Sequence, residues 1–186
     1  VLAPARLHLD ATHRKLLEFE RRRLHTIIKK FVEAERSRPP FAIESVEHGI
    51  DFERYGVRLA LRVDRIDRLA DNSLLIIDYK TGLAKTLMDK DGNLLDLQLV
   101  VYAMAVGEPI GGVVLINVDS RAITYKGTGG SVDWDPKRCA DWAERLAAWI
   151  KTADATLRKL AKGDVRIDVH RLEQETGNLA ILSRVE

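Results

Sequence analysis

The chain has 186 residues, of which 46% are apolar and 31% are charged, a composition typical of a folded domain with a sizeable core. No apolar run approaches the roughly 18 residues that a membrane-spanning helix needs, and the single cysteine, Cys139, excludes a disulfide framework and a cysteine-based zinc site. Net charge is +2, but residues 1–40 carry ten Lys/Arg against five Asp/Glu, whereas residues 41–100 carry eleven acids against eight bases. This asymmetry suits a protein that holds a polyanion beside a metal cation, although solvated charged surfaces produce it too.

The first half of the chain reads as one helix followed by strands. Apolar residues at helical spacing predict a long basic helix over residues 12–36, ended by the prolines that follow. Residues 41–46 form a predicted strand, with a turn near His48-Gly49. Strict alternation from Val57 to Asp64 predicts a half-buried strand. After a turn at 70–73, residues 74–80 form the next strand, which we expect to pair with it as an antiparallel hairpin.

The second half alternates helices and strands. We expect a loop over 83–95, a helix over 96–106, a strand over 113–118 paired with 121–126, a loop over 127–130 and a helix over 135–162. Asp135 suits the N-cap of that last helix, and Trp142 and Trp149 share a core-facing stripe. The order predicts an α/β fold with a mixed central β-sheet flanked by helices. We expect residues 1–186 to form one domain and to be a fragment of a longer chain.

The stretch LLIIDYKTG, residues 74–82, places charged residues at the end of a buried strand. Side chains alternate along a strand, so Asp78 and Lys80 share one face and Tyr79 takes the other. The predicted hairpin also brings Asp64 opposite Asp78. Two close carboxylates repel unless a cation compensates, and Mg²⁺ prefers such ligands together with phosphate. A metal and a lysine at this point suit phosphodiester hydrolysis; the alternative is a surface ion pair of Asp78 and Lys80.

Three segments occur in an order that favours the first reading: RVDRID at 62–67, LLIIDYKTG at 74–82 and QLVVY at 98–102. Together they resemble the PD-(D/E)XK nuclease superfamily, and within it the RecB/AddB-type exonuclease domains of bacterial recombination helicase–nucleases. The resemblance covers residues 36–186. It implies a restriction-endonuclease-like core and a Mg²⁺- or Mn²⁺-dependent deoxyribonuclease, more of the exonuclease kind. DNA and a helicase domain or subunit are the implied partners, in DNA repair or recombination in the bacterial cytoplasm and without a membrane.

The resemblance also assigns roles to individual residues. Asp64 and Asp78 resemble the two metal-binding acids, and Lys80 resembles the catalytic lysine. Gln98 and Tyr102, four apart on one helix face, resemble the motif that follows the core. Read without the resemblance, that pair is a solvent-facing helix with one packed tyrosine.

Three further side chains have expected places beside these. Glu47 lies where such domains carry a strand glutamate and is a candidate third metal ligand. We expect Asp67 to be exposed or paired with arginine, and Tyr79 to pack away from the metal.

Two departures from the family pattern keep other functions open. None of the upstream histidines His8, His13 and His25 stands in the expected motif context. Gln174, Gly177 and Ser183 stand where related domains carry iron–sulfur cysteines, so no such cluster is expected. The alternatives are a nuclease-like domain that binds DNA or a partner protein without cutting, and a purely structural domain of a helicase–nuclease complex.

Overall fold

The computed structural model describes residues 10–81, 87–88, 97–130 and 139–164. The helices are α1 (Ala11–Arg36), α2 (Gln98–Val106) and α3 (Trp142–Ala161). The strands are β1 (Phe41–Arg54), β2 (Val57–Leu69), β3 (Leu74–Thr81), β4 (Ile110–Val118) and β5 (Ile123–Gly129). The helix-and-strand order is the one that the sequence predicts. No helix within these ranges is long and apolar enough to cross a bilayer.

The strands form one five-stranded sheet in the order β1-β2-β3-β4-β5. β1–β2, β2–β3 and β4–β5 are antiparallel, whereas β3–β4 is parallel. A parallel pair requires a crossover connection, and α2 lies in the segment that joins β3 to β4. The predicted α/β class, a mixed central sheet flanked by helices, is confirmed.

Both faces of the central strands are covered, which explains the uninterrupted apolar run in β3. Leu74 and Ile76 belong to a core with α2 and α3. Leu75 and Ile77 belong to a second core that includes Phe31 of α1. A strand buried on both faces reads as continuous apolar sequence rather than as alternation. The two tryptophans of α3 pack edge to face in the first core, with ring centroids 6.0 Å apart, as their spacing predicts.

The predicted turn at His48-Gly49 is wrong. β1 continues through both residues and is paired with β2 as far as Arg54, and the chain reverses at Tyr55-Gly56 instead. Both turn residues have positive φ, 55° and 76°, a conformation that suits glycine. An added Cβ at Gly49 would meet no atom within 4 Å, so this glycine marks open space beside a strand rather than a turn.

Two other boundaries differ from prediction. α3 begins at Trp142, because Cys139–Asp141 are not helical; Asp135 lies outside the described residues, as does most of the predicted 83–95 loop. β5 continues to Gly129, so the predicted loop over 127–130 is wrong for its first three residues. An added Cβ at Gly127 would lie 2.4 Å from the Val113 carbonyl oxygen. This glycine is therefore required by close approach of two strands, a need that sequence alone does not distinguish from a loop.

Candidate active site

The site begins where β2 and β3 separate. Their ladder runs from Arg68 opposite Leu74 to Arg65 opposite Ile77. The next position in this register sets Asp64 against Asp78. There the Asp64 carboxylate, through Oδ2, accepts a 2.8 Å hydrogen bond from the backbone nitrogen of Tyr79. A side-chain carboxylate thus accepts from a backbone N–H at the end of the ladder. This hydrogen bond holds Asp64 beside the strand that carries Asp78.

Lys80 links the acids to α2. Its Nζ lies 2.7 Å from Asp78 Oδ2 and donates to Gln98 Oε1 at 3.0 Å. Gln98 Nε2 in turn donates to the Tyr102 hydroxyl at 2.5 Å. The first residue of α2 and the residue one turn later therefore form a relay of polar contacts to the lysine. Gln98 itself is exposed and Tyr102 is buried in the core.

Burial makes the Asp78–Lys80 pair different from a surface ion pair. The Asp78 side chain is only 4% exposed and that of Lys80 22%. A carboxylate removed from water is costly unless a cation or hydrogen-bond donor compensates. The reading of this pair as a solvated surface contact does not fit the structure. The ammonium instead balances a buried charge at the point where Asp64 brings a second carboxylate.

Glu47 occupies a related position on β1 but turns to the surface. Its neighbours Val46 and His48 pair with Arg65 and Val63, which sets Glu47 level with Asp64. Its backbone is left-handed, with φ 48°, and its carboxylate contacts Arg62 at 3.1 Å while 63% exposed. Within residues 10–81, 87–88, 97–130 and 139–164, no three His, Cys, Asp or Glu side chains form a group that could hold a metal ion.

Tyr79 faces the other side of the sheet, as predicted. Its ring meets Phe31 edge to face at 5.9 Å between centroids, and its hydroxyl accepts from Arg65 Nη1 at 3.1 Å. Burial raises the pKa of Tyr79, and the hydrogen bond from Arg65 opposes that rise. The tyrosine therefore ties β3 to the far face and contributes only its backbone nitrogen to the site.

Behind the site lies a buried charge cluster that the sequence analysis did not find as a unit. Arg38 Nη2 and Arg65 Nη2 donate to Asp67 Oδ2 at 2.8 and 2.9 Å, and Arg65 Nε donates to Oδ1 at 2.6 Å. Glu35 contacts both arginines, at 3.0 and 2.7 Å, and accepts from the Tyr125 hydroxyl at 2.8 Å. Of the two expectations for Asp67, arginine pairing is present and exposure is not. The only sequence signal was charge at core-facing positions of β2.

This cluster is electrostatically balanced despite its burial. Burial would lower the pKa of Arg65, but hydrogen bonds to Asp67 and Tyr79 outweigh it, so the pKa lies above its ordinary value. Burial likewise raises the pKa of Glu35, yet the Tyr125 hydrogen bond and the two arginines lower it below the usual range. Both groups are therefore charged near neutral pH, and their ion pair joins the end of α1 to β2.

Within the described ranges, the histidines that could stand in for the family's motif histidine form no metal-binding group with the acids. His13 Nδ1 contacts Asp10 at 2.9 Å at the start of α1, and His25 and His48 are exposed. His8 and the C-terminal positions Gln174, Gly177 and Ser183 lie outside the described residues.

The donor set fits a hard divalent cation. Asp64 and Asp78 offer carboxylate oxygens, which Mg²⁺ prefers, and Mg²⁺ is bound through one or two carboxylates with water and substrate phosphate completing its shell. Two protein carboxylates therefore suffice. Lys80 stands where an ammonium can reach the same phosphate, which is a combination suited to cleaving phosphate esters.

A comparison with protein families finds a match to this chain. A family model described as the PD-(D/E)XK nuclease superfamily matches residues 2–172. No curated protein matches the chain. A solved structure titled "Crystal structure of SSO0001" is similar at 17% sequence identity, with a TM-score of 0.30 and coverage of 66% of this chain and 50% of that one. The chain thus aligns with about half the length of that protein.

The mixed five-stranded sheet with its flanking helices is consistent with the restriction-endonuclease-like fold of that family. Members of the family are usually nucleases and generally use divalent metal ions such as Mg²⁺. The family match spans nearly the whole sequence, and the chain belongs to the PD-(D/E)XK nuclease superfamily.

Proposed function

We propose that this chain is a metal-dependent DNA nuclease in which Asp64 and Asp78 hold Mg²⁺ or Mn²⁺ and Lys80 assists the attacking water. The observation that carries the proposal is the meeting of Asp64 with the strand segment of Asp78 and Lys80 at the end of the β2–β3 ladder. A divalent ion bound there neutralises phosphate charge and lowers the pKa of a coordinated water.

The protein's own residues supply orientation and a positive charge. The Tyr79 backbone nitrogen fixes one oxygen of Asp64. Gln98, itself held by Tyr102, accepts from Lys80 Nζ and so directs the ammonium, while Asp78 binds it from the other side. In this position Lys80 orients the attacking water and donates to phosphate oxygens as negative charge develops on them.

We further propose a RecB/AddB-type role, in which the domain degrades DNA as an exonuclease within a bacterial DNA-repair or recombination assembly that includes a helicase. The support is the order of the three motifs, RVDRID, LLIIDYKTG and QLVVY. Glu47 is proposed as a third ligand that would have to leave Arg62 to reach the metal.

One observation favours a second function, DNA or partner binding without cleavage. The ammonium of Lys80 already lies 2.7 Å from Asp78 Oδ2 and balances this buried carboxylate without a metal, and Glu47, the candidate third ligand, contacts Arg62 at the surface. A binder of this kind would keep its DNA affinity, or gain some, when Asp78→Asn removes a negative charge, and it would form no product.

Cleavage assays on linear single- and double-stranded DNA with Mg²⁺ or Mn²⁺ separate the two functions. A nuclease should lose activity about 100-fold or more in Lys80→Ala, since positioned proton-transfer groups contribute on the order of 10²–10⁴-fold. Lys151→Ala, on the exposed face of α3, is the matched control and should cut normally. Cleavage that survives both Lys80→Ala and EDTA would refute the mechanism.

Metal binding provides a readout independent of activity. Titration calorimetry with Mn²⁺ should show weaker binding in Asp64→Asn and Asp78→Asn than in the parent chain, and unchanged binding in Asp71→Asn. Asp71 caps the β2–β3 turn at the other end of the hairpin, where its Oδ1 accepts from Ser73. Equal Mn²⁺ affinity in all four proteins would place the metal elsewhere.

A further inference from the structure

An apolar groove opens directly beside the candidate active site. It lies between helix α2 and the part of β2 that continues past its pairing with β3, and it has a volume of about 370 Å³. Its walls are aliphatic, and its end nearest the acids is polar. The lining includes Leu59 and Leu61 from β2, Leu97 at the N-cap of α2, and Gln98, Val101 and Tyr102 from α2.

The groove exists because β2 extends beyond the end of its pairing with β3. Pairing with β3 stops at Arg65, whereas pairing with β1 continues to the turn. The β1–β2 hairpin therefore extends past the sheet, and Leu61 and Ile50 pack on the α2–α3 core. One wall of the groove is this hairpin and the other is α2.

The hairpin is anchored at its tip, so the groove is preformed. Tyr55 OH donates to both oxygens of Asp154 on α3, at 2.9 and 2.8 Å, and Arg54 Nε donates to Oδ1 at 2.5 Å. Arg158 donates to Asp154 Oδ2 at 2.9 Å, and its guanidinium lies 4.3 Å from the centroid of the Tyr55 ring. These contacts fix the far end of β2 against α3.

We infer that this groove binds a nucleobase of an unpaired DNA strand, next to a phosphate that contacts Lys80. The inference rests on the proposed function for the position of the phosphate. Gln98 belongs to both places: it lines the groove and accepts from Lys80 at 3.0 Å. A strand whose phosphate meets Lys80 has its adjacent base one sugar away, and the groove offers an apolar surface on the side of Lys80 where Gln98 lies.

The chemistry of the walls indicates how the base is recognised. Aliphatic side chains contact the faces of any base without directionality and read no hydrogen-bonding edge, so binding tolerates all sequences. A base within a duplex is stacked and paired and cannot enter, so the groove selects single strands. Arg62, 73% exposed at the rim, contacts Glu47 at 3.1 Å and would have to leave that carboxylate to meet a neighbouring phosphate.

The test compares two short strands with the same backbone charge. One is oligo-dT and the other carries abasic tetrahydrofuran residues throughout, and binding of each to the whole chain is followed by fluorescence anisotropy in EDTA. The parent protein should bind oligo-dT about fivefold or more tightly, because a base covers apolar wall that an abasic strand leaves exposed to water. Equal affinity for the two strands would overturn the inference.

Two groove variants and one control locate the effect. Leu59→Ser removes an apolar wall and Val101→Phe fills the space. In each variant, the ratio of the affinity for oligo-dT to the affinity for the abasic strand should fall towards one. Leu160→Ser changes an exposed leucine of α3 that does not line the groove and should keep the preference. Circular dichroism identifies any variant that does not fold. If one groove variant fails to fold, the result with the other groove variant tests the inference. A preference retained in the folded groove variants would refute the assignment.

These results are distinguishable from failure of the proposed function. A base preference that depends on the groove, in a protein that cuts no DNA with Mg²⁺ or Mn²⁺, supports the groove and refutes the nuclease. Metal-dependent cleavage without any base preference refutes the groove alone.

Discussion

The buried charge cluster behind the site makes a quantitative prediction about Asp67. The side chains of Asp67, Arg38 and Arg65 are 0%, 1% and 7% exposed, and Asp67 accepts three hydrogen bonds from the two arginines. Asp67→Asn keeps the shape but removes the negative charge. Glu35 then remains as the one carboxylate shown against both guanidinium groups.

The expected loss follows from uncompensated buried charge. Removing one partner of a buried ion pair costs about 3–5 kcal/mol, because the other partner stays out of water. In a chain of this size each kcal/mol lowers the melting temperature by about 2–4 °C, so Asp67→Asn should melt about 6–20 °C earlier. That loss is a large part of the ~5–15 kcal/mol that stabilises a typical domain.

Urea unfolding followed by tryptophan fluorescence measures this loss, since Trp142 and Trp149 are buried and become exposed. The matched control is Asp119→Asn, which breaks an ion pair with Arg121 whose side chain is 87% exposed. An exposed pair of this kind is worth about 0–1 kcal/mol. If Asp67→Asn came within about 1 kcal/mol of the parent, the cluster would not stabilise the fold as argued.

Three further outcomes are expected. Hydrogen bonds, first of all from Arg158, lower the pKa of Asp154 from 3.8 to about 2. The stabilising effect of Asp154 is therefore complete above about pH 4 and is lost as the pH falls towards 2. Between about pH 6 and about pH 2.5, the urea midpoint of Asp154→Asn should fall less than that of the parent protein. Gly127→Ala should destabilise by about 1–3 kcal/mol, because its Cβ would meet a backbone oxygen at 2.4 Å, whereas Gly49→Ala, with open space, should not. Gln98→Ala should lower kcat about tenfold with little change in KM, since it frees the lysine that it directs; an unchanged kcat would remove it from the relay.

Local sequence was sufficient where a single periodicity decided the structure. The apolar spacing of α1 and the alternation along β2 each predict an element close to the one present. The turn at 70–73 was predicted correctly, and it sets the register that carries Asp64 to the level of Asp78. The residue types of the candidate site follow from the same stretch, because strand geometry puts Asp78 and Lys80 on one face.

Two glycine-containing segments, at Gly49 and Gly127, were predicted wrongly because glycine has several structural uses. At Gly49 it stands in a long exposed strand, at Gly56 it forms the turn, and at Gly127 it permits close contact between strands. Each looks like a turn signal in the sequence. Which use applies depends on what lies opposite the residue in space.

The sequence by itself placed Asp78 and Lys80 on one face of a strand, Asp64 on the paired strand, and Gln98 and Tyr102 on one face of a helix, because periodicity and turn chemistry are local. The roles of these residues in catalysis are a proposal. Only the tertiary structure decided that Glu47 faces Arg62, that Asp67 is enclosed by two arginines, and that the hairpin reaches α3 and leaves a groove beside Lys80. These outcomes depend on residues far apart in the chain. Their contacts are set by how far each ladder continues and by which face each helix covers, and local pattern specifies neither.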